Sequence, residues 1–204
     1  MTEMIATRQA YGDTLVELGE KNKDIVVLDA DLSKSTTTAK FGKKYPDRFF
    51  NMGVAEANMM NTAAGLATCG KIPFFFFFSI FATGRAWEQI RNTICYSGLN
   101  VKIVATHSGV SVGPDGASHQ CIEDLSLMRT IPTMTVIEPC DAVETRKAIL
   151  AAVDYKGPVY IRLGRAAVPV ITKKEDPYTI GKANILRMGD DVAIVACGAL
   201  VVNS

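Results

Sequence analysis

Short runs rich in apolar residues recur along this chain, and a stretch with helical spacing separates each run from the next. The runs occupy residues 25–28, 48–51, 73–78, 101–105, 134–137 and 159–163. Strands that alternate with helices of about a dozen residues are typical of a parallel sheet covered by helices on both faces. The sequence therefore predicts an α/β fold of this kind, in which the carboxyl ends of the strands share one edge.

The helical stretches carry their own start and stop signals. Residues 7–18, 56–69, 84–96, 123–129 and 142–153 have helical spacing or composition. Gly19 and Gly70 are placed to end the first two helices. Asp141 and Glu144 are spaced as an N-cap and its N3 partner for the last one.

Five consecutive phenylalanines occupy positions 74–78. Only a strand buried on both faces, or a strand that ends at a ligand, can use so much aromatic surface without exposing it. We expect Phe74, Phe76 and Phe77 to lie in the core.

The character of the chain changes after Arg165. Residues 1–165 form the predicted α/β domain, whereas residues 166–188 contain prolines and a charge run and are predicted to be a linker. Residues 191–196 predict a new strand, so that residues 189–204 would begin a second domain. Because about twenty residues cannot bury a core, we expect either a truncated second domain or a tail that packs on the first.

Charge and hydropathy exclude several classes of function. The formal net charge is +1, and no cluster of Lys and Arg with interleaved aromatic residues is present, so nucleic-acid binding is not expected. The longest apolar run, 72–78, is too short to span a bilayer, and residues 1–8 lack the features of a signal peptide. The five cysteines contain no C-x-x-C pair, which indicates a reducing compartment and predicts a cytoplasmic protein.

Both histidines, His107 and His119, lie in one glycine-rich stretch that follows the buried run 101–105. Loops at the carboxyl ends of parallel strands are where open sheets bind ligands, so we expect the chemistry here. No phosphate loop, dinucleotide fingerprint or nucleophile elbow occurs, and two histidines without nearby cysteines make a poor metal site. Other candidate side chains follow the remaining strands: Asp31, Ser35, Glu56, Phe78, Phe81 and Arg165.

Three separate motifs resemble the pyrimidine-binding domain of transketolase. They are GVAEAN at 53–58, FSIFATGR at 78–85, and THS at 106–108 with GPDGASHQ at 113–120. The resemblance runs from about residue 7 to residue 165. The chain is most similar to the C-terminal subunit of split transketolases, in which two chains make one enzyme. The resemblance implies transfer of a two-carbon ketol unit between sugar phosphates through thiamine diphosphate.

The resemblance also implies which residues contact the cofactor. Glu56 would share a proton with the ring nitrogen of the aminopyrimidine, a role that suits a carboxyl held at a helix N-terminus. Without the resemblance, Glu56 would be expected only to favour the helix dipole. The aromatic wall that stacks on this ring would consist of Phe78, Phe81 and Phe75, and Asp31 would lie near the cofactor at the subunit contact.

For the sugar phosphate, the resemblance assigns a further set of side chains. The phosphate would be held by Arg8, Ser35, His107 and Arg165. Asp115 would accept a hydrogen bond from the C2 hydroxyl, and His119 would contact the donor near the cofactor and take part in catalysis. Arg162 is an alternative anchor to Arg165, and a helix-surface arginine such as Arg8 is commonly only solvated.

One part of the family's machinery is missing. The family binds the cofactor's diphosphate through Mg²⁺ with a Gly-Asp-Gly motif, and Gly189-Asp190-Asp191 does not match it. We therefore expect Mg²⁺ to be bound mainly by an N-terminal, diphosphate-binding partner subunit. The active enzyme would need this partner, and we expect a homodimer or a heterotetramer.

Three alternatives remain open. Deoxyxylulose-phosphate synthase has the same domain, but its Asp-Arg-Ala-Gly differs from Thr106-His107-Ser108. The β subunit of a 2-oxo acid dehydrogenase is disfavoured by the stretch 114–119. A non-catalytic assembly module is disfavoured because Glu56, Asp115 and both histidines are retained.

Overall fold

A six-stranded parallel sheet forms the centre of the computed structural model, which describes residues 3–204. Residues 1 and 2, on which the prediction about the amino-terminal segment partly rests, lie outside the described residues. The strands are β1 (Met4–Ala6), β2 (Ile25–Asp29), β3 (Phe49–Asn51), β4 (Ile72–Phe78), β5 (Lys102–Thr106), β6 (Thr135–Ile137), β7 (Val159–Arg162) and β8 (Ala167–Pro169). The sheet order is β3-β2-β4-β5-β7-β6, which confirms the predicted fold class.

Helices cover both faces of this sheet. They are α1 (Thr7–Lys21), α2 (Ser33–Thr36), α3 (Ala39–Lys44), α4 (Glu56–Thr68), α5 (Asp124–Arg129) and α6 (Ala142–Asp154). Side chains of α1, α3 and α6 pack into one hydrophobic cluster, and those of α4 and α5 pack into a second. The two clusters lie on opposite faces of the sheet because successive side chains along each strand point in opposite directions.

The phenylalanine run is β4, in which all seven residues are buried. Phe74 and Phe76 join the cluster of α1 and α6, and the Phe76 ring lies 4.3 Å from the Tyr11 ring between centroids. Phe75 and Phe77 point to the other face and join the cluster of α4. This confirms the core positions of Phe74, Phe76 and Phe77.

Two predicted helical features have different outcomes: the cap of α6 and the helix at 84–96. The capping arrangement is confirmed, since the Glu144 backbone N–H donates to Asp141 Oδ1 at 2.8 Å and Glu144 Oε2 accepts from the Cys140 N–H at 2.6 Å. The helix predicted at 84–96 is instead largely π-helical, in the segments Phe81–Arg85 and Gln89–Cys95. Such wide turns are rare in proteins and occur frequently at functional sites.

Part of the predicted linker is tied to the domain. β8 pairs antiparallel with β1, so the segment after Arg165 is joined to the segment before α1. The Asp141 carboxylate also accepts hydrogen bonds from the backbone N–H groups of Ile171 and Thr172, at 2.8 and 2.6 Å.

The strand predicted at 191–196 does not form. That segment is exposed, and it pairs with no strand among residues 3–204, so it lacks the hydrogen bonds that a sheet requires. The following turn, Gly198–Asn203, is a 3₁₀-helix that contacts the domain through the Gly198 N–H and the Glu138 carbonyl, 3.1 Å apart. The division into two domains stays a prediction.

In the part of the chain that the structure describes, no helix has the length and apolar character needed to cross a membrane.

Candidate active site

The loops at the carboxyl edge of the sheet bring the candidate side chains together. Glu56 is the first residue of α4, which follows β3, and Phe78 is the last residue of β4. His107 comes directly after β5, and Arg165 lies three residues after the end of β7. Because all these strands are parallel, their different loops meet at one edge, as the sequence predicted.

Four rings form what we call the aromatic cluster: Phe78, Phe81, His107 and His119. The His107 ring stacks on Phe78 with centroids 3.8 Å apart and an interplanar angle of 21°. The His119 ring meets Phe81 edge-on at 5.2 Å and 83°. Phe78 and Phe81 are nearly parallel, at 12° and 6.3 Å. Phe78 is buried and stacks on His107, so the accessible ring surface of the cluster belongs mainly to the partly exposed Phe81 and His119.

His107 is held in an unusual state. Its side chain is 2% exposed, its φ is 59°, and its Nδ1 atom is buried without a hydrogen-bond partner. Its Nε2 atom lies 3.8 Å from Asp115 Oδ2. Burial, with a further contribution from the positive charge of Arg8, lowers the pKa of His107 to about 4. A strained, buried and neutral imidazole at a strand end is typical of a residue retained for function.

The lowered pKa of His107 predicts a pH dependence of stability. The unfolded chain takes up a proton near the ordinary pKa of 6.5, whereas the folded chain does so only near 4. Between these values the unfolded state binds more protons, so the free energy of unfolding falls as the pH is lowered from 6.5 to 4. Over this pH range, we expect the free energy of unfolding to fall less in His107→Gln than in the wild type, by at most about 3 kcal/mol. Urea titrations at a series of pH values measure this difference. Identical pH slopes for the two proteins would contradict this account of His107.

Three side chains form a charged cluster next to His107: Arg8, Asp115 and Arg165. The Arg165 Nε atom lies 3.7 Å from Asp115 Oδ2, and Arg165 NH1 donates to the Val112 carbonyl at 2.7 Å. Burial and the nearby Arg165 charge lower the pKa of Arg8. Two guanidinium groups and one carboxylate leave a net positive site, which suits an anion.

Asp31 lies on the loop between β2 and α2, and Ser35 lies on α2. The Ser35 carbonyl accepts a hydrogen bond from Arg8 NH1 at 2.8 Å, so Ser35 contributes its backbone to the placement of Arg8. Asp31 is exposed, with a φ of 68°, and its carboxylate accepts from the Asn51 side chain at 3.2 Å. The structure thus brings Ser35 to the charged cluster and holds Asp31 beside β3.

Glu56 is almost fully buried at the N-terminus of α4, with 5% of its surface exposed. Its Oε1 atom accepts a hydrogen bond from Arg85 NH1 at 2.7 Å, and the Arg85 guanidinium carbon lies 4.3 Å above the Phe81 ring. Arg85 therefore connects Glu56 to the aromatic cluster.

Phe75 requires a correction. The sequence resemblance placed its ring on the cofactor, but Phe75 is fully buried in the core between the sheet and α4. Phe78 differs from it by three positions, so the two rings point to opposite faces of β4. Phe75 has no surface left for a ligand, and we assign it to the core.

The comparisons with known proteins agree with this geometry. A family model described as "Transketolase, pyrimidine binding domain" matches residues 3–170. The chain belongs to the transketolase family. A solved structure described as "Split gene transketolase, inactive beta4 tetramer" superposes with a TM-score of 0.89 at 56% identity, over 98% of this chain and 65% of that one.

Two further transketolase relatives are named as subunits. The "6-deoxy-6-sulfo-D-fructose transketolase subunit SqwH" of Clostridium sp. (strain MSTE9) is 44% identical over 95% of this chain and 60% of its own length. An apulose-4-phosphate transketolase subunit of Phocaeicola vulgatus is 42% identical over 97% of this chain and 64% of its own length. The chain thus spans about three fifths of the length of these two subunit relatives.

The transketolase domain also contains a buried polar network that the sequence analysis missed. Arg162 donates to Asp124 Oδ2 at 2.8 Å through Nε, and its NH1 reaches Glu138 Oε1 at 2.5 Å. The Tyr160 hydroxyl donates to the same Asp124 oxygen at 2.8 Å. Because two carboxylates neutralise Arg162, Arg165 rather than Arg162 is the arginine left for an anion. No sequence pattern marks Asp124 as buried.

Asp29 is a second residue that the sequence analysis missed. It is fully buried at the end of β2, where its carboxylate accepts hydrogen bonds from the Leu32 N–H at 2.7 Å and from the hydroxyls of Thr36 and Thr38 at 2.6 and 2.8 Å. Burial raises the pKa of Asp29. A signal was present, because an aspartate before a Ser- and Thr-rich loop commonly organises that loop.

Across residues 3–204, the structure groups no three His, Cys, Asp or Glu side chains in a way that could hold a metal ion.

Proposed function

We propose that this chain supplies the pyrimidine-binding half of a transketolase active site and works with a diphosphate-binding partner subunit. The enzyme moves a two-carbon ketol unit from a ketose phosphate to an aldose phosphate. One observation carries the proposal: a buried carboxyl, an aromatic cluster and a positively charged cluster share one edge of the sheet. The names of the two relatives as transketolase subunits support the division into two chains.

The residues present fit the aminopyrimidine ring of thiamine diphosphate. A flat heteroaromatic ring needs a stacking surface and a hydrogen-bonding partner in its own plane. Phe81 offers a partly exposed ring nearly parallel to Phe78, and Glu56, which Arg85 connects to Phe81, provides a carboxyl that its helix holds in place. The carboxyl is rigid because its backbone starts α4, so it is oriented before any ligand arrives.

When bound, thiamine diphosphate supplies the carbon atom that carries the two-carbon unit between donor and acceptor. Glu56 holds a proton at its carboxyl oxygen and shares it with the ring nitrogen of the aminopyrimidine. His119, which is partly exposed beside Phe78 and Phe81, contacts the donor sugar. His107 remains neutral, so it can donate or accept a hydrogen bond without adding charge.

The charged cluster is proposed to hold the substrate. Arg8 and Arg165 bind the phosphate group, with Ser35 fixing Arg8 through its carbonyl and His107 beside them. Asp115 Oδ2 is buried without a hydrogen-bond partner, which makes it available to a sugar hydroxyl. An unsatisfied buried oxygen of this kind is costly, so a ligand that donates a hydrogen bond is favoured.

The partner subunit is proposed to bring the Mg²⁺ and diphosphate site, and Asp31 is proposed to lie at the contact with it, near the cofactor. A dimer of such pairs would form the whole enzyme. All five cysteines are unpaired, in keeping with the predicted cytoplasmic location.

Isothermal titration calorimetry tests this proposal directly. Thiamine diphosphate and Mg²⁺ are titrated into this chain alone and then into its mixture with a diphosphate-binding transketolase subunit. We expect binding only in the mixture, together with ketol transfer between xylulose phosphate and ribose phosphate. Tight binding by this chain alone would contradict the shared site, and no binding in the mixture would overturn the function.

Arg165→Gln is expected to raise the KM for the sugar phosphate by about 10- to 100-fold while leaving kcat nearly unchanged. A charge-assisted hydrogen bond to a phosphate remote from the reacting atoms contributes equally to ground state and transition state. Steady-state kinetics of the mixed subunits with phosphorylated and unphosphorylated donors measures this. Arg146→Gln is the matched control, because Arg146 pairs with Glu17 on the surface of α1 and α6. An equal rise in KM for the phosphorylated and the unphosphorylated donor would contradict the assignment of Arg165 to the phosphate.

A further inference from the structure

Arg85 contacts the two groups that the aminopyrimidine ring would use. Its NH1 atom donates to Glu56 Oε1 at 2.7 Å, and its guanidinium carbon lies 4.3 Å above the Phe81 ring. A guanidinium is flat, carries N–H donors in its own plane and stacks on aromatic faces. It therefore satisfies the same carboxyl and the same ring surface as a flat heteroaromatic ligand.

We propose that Arg85 takes the place of the aminopyrimidine ring when the cofactor is absent, and that it must leave this position before the ring can bind. This inference rests on the proposed function. Arg85 is thus a positioning residue that competes with the cofactor for Glu56 and Phe81.

The exposure of the two partners shows which of them can move. The Glu56 side chain is 6% exposed and starts a helix, whereas the Arg85 side chain is 55% exposed and lies at the end of the π-helical segment Phe81–Arg85. Arg85 can regain water when it swings outward, but Glu56 cannot. Displacement of Arg85 therefore costs little, while Glu56 stays oriented.

Pairing with Arg85 also explains how Glu56 is tolerated in the absence of cofactor. A nearly buried carboxyl without a partner is unfavourable, and Arg85 supplies an opposite charge and a hydrogen bond. The π-helical turn changes the spacing of side chains along this segment relative to an α-helix, and the resulting arrangement places Phe81 and Arg85 face to face. The four-residue spacing brings Arg85 near Phe81 along a helical segment, whereas the contact with Glu56, 29 positions earlier, comes only from the tertiary structure.

The test uses a small probe that needs no partner subunit: 4-amino-5-hydroxymethyl-2-methylpyrimidine, titrated into this chain and followed by NMR. Removing the Arg85 guanidinium, the proposed competitor, should tighten binding of the probe. Arg85→Gln is expected to lower the Kd of this probe roughly fivefold, the effect of one exposed ion pair and one cation–π contact. The Kd of Arg85→Lys should lie between those of the wild type and Arg85→Gln, because lysine keeps the charge but loses the planar stacking.

Arg91→Gln is the matched control. Arg91 also lies over an aromatic ring, with its guanidinium carbon 5.9 Å from the Trp87 centroid, and its NH1 atom donates to Asn92 rather than to Glu56. This variant should leave the Kd of the probe unchanged.

The outcomes separate this inference from the proposed function. In the mixture with the partner subunit, Arg85→Gln should also lower the Kd of thiamine diphosphate. If the wild-type mixture binds thiamine diphosphate and Arg85→Gln weakens or does not change the binding of either ligand, the competition is refuted while the function stands. If neither the wild-type mixture nor the chain alone binds its ligand, the function itself fails and the inference falls with it.

Discussion

Glu56→Gln is expected to lower kcat of the mixed subunits by about 10²- to 10⁴-fold, the usual contribution of a positioned acid or base. Glutamine keeps the size of the side chain and its hydrogen-bonding capacity, but it cannot share a proton with the ring nitrogen. Glu56 is almost fully buried at the start of α4 but takes no part in the hydrophobic core, so folding should be retained. Ketol-transfer kinetics, with calorimetry for cofactor binding, measures the effect.

The control for this substitution is Glu17→Gln. Glu17 is on α1 and pairs with Arg146 at the surface, so its loss should leave turnover unchanged. Wild-type turnover by Glu56→Gln in the presence of the partner would contradict the catalytic assignment and favour a non-catalytic assembly module.

Asp124→Ala is expected to lower the free energy of unfolding by about 3 kcal/mol, the lower end of the cost of breaking a buried ion pair. Asp124 is fully buried and accepts hydrogen bonds from both Arg162 and Tyr160. Its removal leaves the Tyr160 hydroxyl without its main acceptor, whereas Arg162 keeps Glu138, which limits the loss. Urea unfolding followed by circular dichroism gives the value.

Asp154→Ala is the matched control for Asp124, because Asp154 is exposed at the end of α6 and should change stability by less than about 0.5 kcal/mol. A loss below about 1 kcal/mol in Asp124→Ala would show that the network is not a stabilising unit.

The Asp124 network also bears on the aromatic cluster. The Tyr160 hydroxyl lies 3.5 Å from Ser79 Oγ, and Ser79 and Ser108 share a hydrogen bond. Ser79 follows Phe78, and Ser108 follows His107. The network thus joins the loops that present two rings of the aromatic cluster, and its loss is expected to reduce cofactor binding as well as stability.

Patterns within single segments determined the fold. The alternation of apolar runs with helical stretches predicted a parallel sheet, and the structure has one, because each run is long enough for one strand and short enough to exclude a helix. Parallel strands in turn bring their carboxyl ends to one edge, so the positions of Glu56, Phe78, His107 and Arg165 followed from the order of elements. Here the physical cause is local, namely side-chain periodicity and chain direction.

Contacts between distant segments decided the rest. Phe75 belongs to the core because the pleat turns it away from the site, and Arg162 is neutralised because Asp124 and Glu138 come from other elements. The strand predicted at 191–196 failed because a strand exists only beside another edge. Arg85 reached Glu56 because a π-helical turn and the start of α4 meet in space. Burial, ion pairing and strand pairing depend on neighbours that are remote in sequence, and only the tertiary structure supplies those neighbours.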